Sequence, residues 1–241
     1  METTRMVTVM GQSGLPLSSF APQDEREELM VVFAAAVYER GLALTCLAEV
    51  ARRADVRLAD VHAHWPTPVD CLLDTVAAAT RQLFNRVATA FMQANGDRPL
   101  AVHRALGTML YDLSDAPEMT YLSVIELPRL GPLVYERQDR MLDLFCELLA
   151  SGFAALEEPP PSREIVTLCI GGGLWESLYR HAAQRTLHEL PDTLAAISYV
   201  CVSTFFGTDE ALRVSTLPVP RSREGAHQDA LSLRYRPVDP S

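Results

Sequence analysis

TCLAEVARRADVRLADVHAHW, residues 45–65 of a 241-residue chain, decides how the rest is read. Leu47, Val50, Ala51 and Ala54 stand at i, i+3, i+4 and i+7, the spacing that gives a short helix one apolar face. Thr45 precedes this helix as a candidate N-cap, and Glu49 falls near the first turn, where the helix dipole favours negative charge. Asp55-Val56 interrupts the pattern. Val61 and Trp65 then supply the apolar side of a second short helix, over residues 57–64. Two short helices joined by a tight turn, the second turning polar side chains outward, have the shape of a helix-turn-helix.

The flanks extend this into a head. Leu29, Phe33, Ala36 and Val37 form the inner face of a helix from Asp24 to Arg40, which Gly41 closes. After the motif, Thr67, Pro68 and Asp70 spell a helix start: N-cap, first-position proline and capping acid. That helix should reach Ala94, where Asn95-Gly96-Asp97 stops it. Further helices are expected over 98–114, 117–127, 133–157, 162–185 and 190–206, with Pro128 and Pro132 bracketing a break and Glu157–Pro161 forming a stiff connection. Only 231–235 alternates like a strand, and too briefly to count. The expectation is an all-α chain: a flexible arm (1–22), a three-helix head with the helix-turn-helix (23–66), a helical body (67–214) and a flexible tail (215–241).

Apolar residues make up 48 % of the chain, enough for a core, and charged residues 22 %. All 21 basic residues are arginine. A net charge of −10 excludes a uniformly basic nucleic-acid binder, and residues 1–72 are acidic too, so positive charge in the head must gather on one face. The five cysteines, at 46, 71, 146, 169 and 201, contain no CxxC; they suggest reduced thiols rather than disulfides or a zinc knuckle. His62-x-His64 is a poor chelate, because helical residues two apart point different ways. The triple glycine 171–173 lacks the Lys-Ser/Thr of a phosphate loop and suggests close helix packing or a kink beside a cavity. No metal, cofactor or catalytic set is expected. With neither a charged leader nor an apolar run of about 18 residues, the chain reads as soluble and cytoplasmic.

Glu39-Arg40-Gly41, Thr45, Ala51-x-Arg53-Ala54-x-Val56, His62-x-His64-Trp65-Pro66 and Leu72-Leu73 fall in one ungapped series over residues 29–76. In that series the chain resembles the DNA-binding head of the tetracycline-repressor (TetR) family. More loosely, Gly172-Gly173 with Trp175 and Tyr179, Leu190-Pro191-x-x-Leu194, Phe205-Phe206-Gly207 and Ala211-Leu212 resemble its effector-binding body. The sequence departs from the family's pattern at Asp55, usually glycine, at Arg57 and Asp60, usually small hydroxyl residues, and at Cys46, His62 and Pro68.

A recognition helix lying in a major groove would meet base edges and phosphates with Arg57, Leu58, Ala59, His62 and His64; Thr45, Cys46 and Arg53 are placed for the backbone. Arg57 suits guanine, whose O6 and N7 match its fork. Phe91, Met109, Tyr111, Tyr121, Phe145, Cys169 and Trp175 are the candidate lining of an effector pocket, whose existence the resemblance implies. The 190–206 helix is apolar on too many faces for a lone surface helix. Leu178, Tyr179, Leu194, Tyr199, Val202 and Phe205 are therefore the expected interface of a homodimer, as in the family. The implied function is a ligand-responsive repressor of an operator on double-stranded DNA. The alternative is a small-molecule-binding protein of the same fold whose acidic head no longer reads an operator.

Overall fold

The structure, a computed structural model, describes Phe20, residues 22–134 and residues 162–220. Helix α1 (Glu25–Arg40) begins where the Asp24 carboxylate accepts the Glu27 N–H at 2.8 Å, with Glu25, Glu27 and Glu28 in the dipole-favoured first turn. It ends at Gly41, whose φ of 81° suits glycine. Thr45 does not cap the next helix. Its hydroxyl donates to the Gly41 carbonyl at 2.9 Å, so the buried side chain ties the loop back to α1, and Cys46 takes the cap position without a side-chain bond.

Helices α2 (Leu47–Ala54) and α3 (Leu58–His64) form the expected motif. Between them Asp55 adopts φ 54° and ψ 42°, a left-handed turn that a short polar side chain tolerates and that explains how aspartate replaces glycine here. Leu29, Phe33 and Val37 pack against Leu47, Val50, Val61 and Trp65 in a dry head core. Trp65 is buried, and its indole Nε1 donates to the Asp74 carboxylate at 2.7 Å. Arg26 pairs with the same carboxylate and lies 5.8 Å from the indole ring centre. The end of α3 is thus pinned to the helices on both sides of it.

Helix α4 (Pro68–Met92) opens with the expected capping box between Thr67 and Asp70. Helix α5 (Arg98–Asp115) packs along it. Helix α6 (Pro117–Tyr121) runs into a π-helical turn, Leu122–Glu126, and the break that follows kinks at Gly131 (φ 68°). Helix α7 (Arg163–Gln184) carries the triple glycine. The continuous 190–206 helix is instead two pieces: a 3-10 turn, Leu187–Thr193, holds Pro191, and α8 spans Leu194–Phe206. A short helix not expected from the pattern, α9 (Thr208–Val214), follows Gly207. Among the described residues no strand forms, and no helix is long and apolar enough to cross a membrane. The architecture is all-α. The expected helix 133–157 and the connection 157–161 lie outside the described residues, apart from 133 and 134.

The first six residues of the expected flexible tail, 215–220, are described, and two of them pack into the body. Ser215 and Val219 are buried, and Val219 sits where Gly107 of α5 lacks a side chain; a Cβ there would come within 2.6–2.9 Å of the valine. Beside it the buried His103 imidazole bridges two elements at 2.8 Å each, to the Ser198 hydroxyl and the Leu217 carbonyl. A carbonyl only accepts, so Nε2 carries the proton and Nδ1 accepts from the serine. Burial, then Arg104 nearby, press the His103 pKa below the usual range against the opposing carbonyl bond. Residues 215–220 therefore belong to the body. Phe20, expected in a loose arm, is likewise buried, in the cluster that runs from the head core to Ala116, Met119 and Leu122.

Head and body meet at Arg185, the left-handed residue ending α7 (φ 59°). Its guanidinium lies 4.1 Å from the Tyr38 ring centre and 5.1 Å from that of Tyr121, and it donates to the Tyr38 carbonyl at 2.7 Å. The two tyrosines meet edge-to-face at 5.3 Å.

Candidate functional site

The outer face of α3 presents Arg57, Leu58, Ala59, His62 and His64 to solvent, with Cys46 exposed at the start of α2. Most head cations are engaged by neighbouring carboxylates. Arg53 donates Nε to Glu49 at 2.8 Å and both terminal nitrogens to Glu39 at 3.0 and 2.7 Å; 21 % of its side chain is exposed. Arg52 forks onto Glu49 at 3.0 and 2.9 Å. With these two guanidiniums against it, the Glu49 carboxyl falls to about 2. The three bonds of Arg53 use three of its five guanidinium N–H groups and hold it against the head, while the buried Thr45 hydroxyl serves the loop. Arg57 differs. Its side chain is 83 % exposed and touches only Asp60, three residues on.

In the body, α4, α5, α6 and α7 surround a cavity of about 140 Å³. Leu83 and Phe84 of α4, Met109 and Leu113 of α5, Met119 of α6 and Trp175 of α7 are among the side chains of its apolar wall. One ion pair, Arg86 with the largely buried Asp112, interrupts that wall. Thr80, Thr120 and Ser123 add hydroxyls. Of the expected lining residues only Met109 and Trp175 face this space. Phe91 and Tyr111 pack on the body core away from it, Tyr121 belongs to the Arg185 joint, Cys169 is exposed, and Phe145 lies outside the described residues.

Solved structures share this arrangement of head over helical body. The fatty acid degradation regulator FadR from Bacillus halodurans superposes with a TM-score of 0.61 over 77 % of this chain and 99 % of its own, at 14 % identity. The transcriptional regulator FadR from Bacillus subtilis, solved in complex with stearoyl-CoA, gives 0.61 over 73 % and 97 %, at 11 % identity. A TetR-like transcriptional regulator from Rhodococcus sp. RHA1 gives 0.55 over 74 % and 96 %, at 16 % identity. The chain has the TetR-type fold. Neither a family model nor a curated protein matches the sequence.

On this TetR-type body the expected dimer residues divide. Leu194, Val202 and Phe205 are buried within the protomer and Leu178 lines the cavity, so they are core, not surface. Tyr179 and Tyr199 are exposed. Ile165 and Leu168 of α7 and Val200 of α8, which were not among the expected interface residues, are exposed as well. Gly172 and Gly173 are open on the same helix, with no atom within 4 Å of where a Cβ would stand; only Gly171 faces the cavity. The two glycines therefore pack against no described neighbour. The α4 side of the cavity is lined by Thr80, Leu83 and Phe84, at i, i+3 and i+4, and not by the expected Phe91 of the same helix. Among the described residues no group of three or more His, Cys, Asp or Glu is arranged to hold a metal.

Proposed function

We propose that this TetR-type chain is a dimeric, cytoplasmic transcriptional regulator, a repressor that a small apolar effector releases from its operator. The observation that carries the reading is the exposed outer face of α3: Arg57, held only by its neighbour Asp60, stands there with Leu58, Ala59 and His62, while Trp65 anchors the helix from behind. In a helix-turn-helix such a face enters the major groove, with its N-terminal residues at the base edges. Arg57 is the base-reading residue. Arg53 supports the head internally.

The dimer would form on the apolar surface of Ile165, Leu168, Tyr179, Tyr199 and Val200, with Gly172 and Gly173 permitting close approach. The effector would occupy the cavity around Met109 and Trp175 and favour a head spacing that fits DNA poorly. That shift requires different effector affinities for the two spacings. One structural neighbour was solved with stearoyl-CoA, so long-chain acyl compounds belong in the first ligand panel.

Fluorescence anisotropy on duplex from upstream of the gene, at two salt concentrations and against scrambled competitor, tests the reading. Binding that survives competitor and weakens with salt supports it, since specific sites exceed nonspecific ones by about 10³-fold or more. Binding no tighter than to scrambled duplex, across a genome-wide fragment selection, would favour a second reading: a ligand-binding protein with a silent head. The pairing of Arg52, Arg53 and Arg57 with acids is what speaks for that alternative.

A further inference from the structure

We infer that Asp60 is a positioning residue that aims Arg57 end-on at a guanine, so that the operator preference for G·C at that position depends on an aspartate that never needs to touch DNA. The inference rests on the DNA-binding reading above. A guanidinium has two edges able to donate paired hydrogen bonds: the side-on edge, Nε with Nη2, and the end-on edge, Nη1 with Nη2. Asp60 occupies the side-on edge with both carboxylate oxygens, at 2.9 Å from Nε and 2.6 Å from Nη2. The end-on edge remains, carrying two parallel N–H bonds at the spacing that guanine N7 and O6 accept. Asp60 lies in the first turn of α3, and the Arg57 guanidinium chiefly, helped by the Arg57 backbone N–H, holds its carboxyl below the ordinary carboxylate range. It is therefore ionised, and its grip removes rotamer freedom that a lone arginine would have to lose on binding.

The other head arginines show that this arrangement is particular. Arg53 has both edges taken by Glu39 and Glu49. Arg52 is also held side-on, by Glu49, but on α2, the helix that crosses the phosphate backbone in this motif. Only Arg57 combines an open end-on edge with a place at the start of the recognition helix. The negative charge of Asp60 has a second effect: it opposes sequence-independent attraction to phosphates, which widens the gap between specific and nonspecific binding.

The test selects operators from random duplex with the full-length chain, then measures affinity for each base at the Arg57-dependent position with wild type, Asp60→Ala, Asp60→Asn and Arg57→Ala. Circular dichroism melting confirms that each variant folds. Wild type should prefer guanine by about 5- to 150-fold, the range of one bidentate base contact. Asp60→Ala should lose most of that preference while its binding to scrambled duplex rises, Asp60→Asn should fall between, and Arg57→Ala should lose the preference altogether. A guanine preference surviving intact in Asp60→Ala, or none that depends on Arg57, overturns the positioning role alone. Failure of the wild type to select any sequence overturns the DNA-binding reading and this inference with it.

Discussion

The head and the body of this chain dispose of charge and apolar surface in opposite ways. The head packs a dry core around Trp65 and covers its exterior with carboxylate–arginine pairs at Glu39, Glu49 and Asp60. The body leaves apolar side chains on both its inside and its outside: a cavity behind Trp175, and the exposed Ile165, Leu168 and Val200. Among the described residues the head exposes two large apolar side chains, Leu44 and Leu58, against nine in the body and the segment after it. A domain that leaves such area open has something to place against it. The contrast fits the proposed division, with polar recognition at the head and an apolar ligand and partner at the body.

Removing the head's central anchor should break the contrast most severely. Trp65→Ala should cost about 3–5 kcal/mol, the usual penalty for truncating a buried tryptophan, and would leave Asp74 without its indole donor. Chemical denaturation followed by far-UV circular dichroism measures it; a loss below about 1 kcal/mol would mean that the head core does not depend on the indole. In the body, Gly107→Ala should cost about 1–3 kcal/mol by driving a methyl group into Val219, and the added Val219→Gly, which removes the Cβ as well as both methyl groups, should recover part of it. No coupling between these two changes would show that residues 215–220 are not docked in solution.

A pH series sharpens the comparison. His103 has a folded pKa below its unfolded value near 6.5, so its contribution is fully present above that value and is lost as pH falls through the folded pKa. Glu49 also has a depressed folded value, about 2 against 4.5, so its contribution persists until pH drops below 4.5 and disappears toward 2. The body should therefore weaken first on acidification, and His103→Gln should flatten the slope just below pH 6.5. Glu49→Gln should give the smallest change of slope in the set, confined to the window below pH 4.5, because its partner Arg52 is 71 % exposed and salt screens that bond. A head that melts at higher pH than the body would reverse the order and refute both assignments.

The helix-turn-helix was legible because its signals are local: apolar spacing in Leu47–Ala54, the capping box at Thr67 and Asp70, and a short polar residue at the left-handed Asp55. The side-chain partners were not. Arg53 looks like any exposed cation in a linear sequence, and only the fold brings Glu39 to it from 14 residues away. For the same reason, residues sorted by size gave a poor account of the cavity: Phe91 and Tyr111 are as large as Phe84 but sit on other helix faces. The apolar 190–206 stretch suggested an interface, yet Leu194, Val202 and Phe205 serve the protomer's own core, and apolar periodicity alone does not say which chain an apolar face meets. Residues 215–220 read as tail because proline and serine dominate there; two hydrogen bonds to one buried imidazole and a notch at Gly107 are tertiary facts.

Arg185 ties the end of α7 to the head. The helix touches the cavity between Gly171 and Leu178 and ends, about 10–20 Å farther along its axis at 1.5 Å per residue, in the clasp on Tyr38. Tilting such a rod by about 5° about its cavity end would swing the tip by about 1–2 Å. The clasp holds one hydrogen bond at 2.7 Å and two ring contacts, so a displacement of that size is enough to unseat it. An occupant of the cavity would need to change no residue of the head to be felt there, only the angle of one rod.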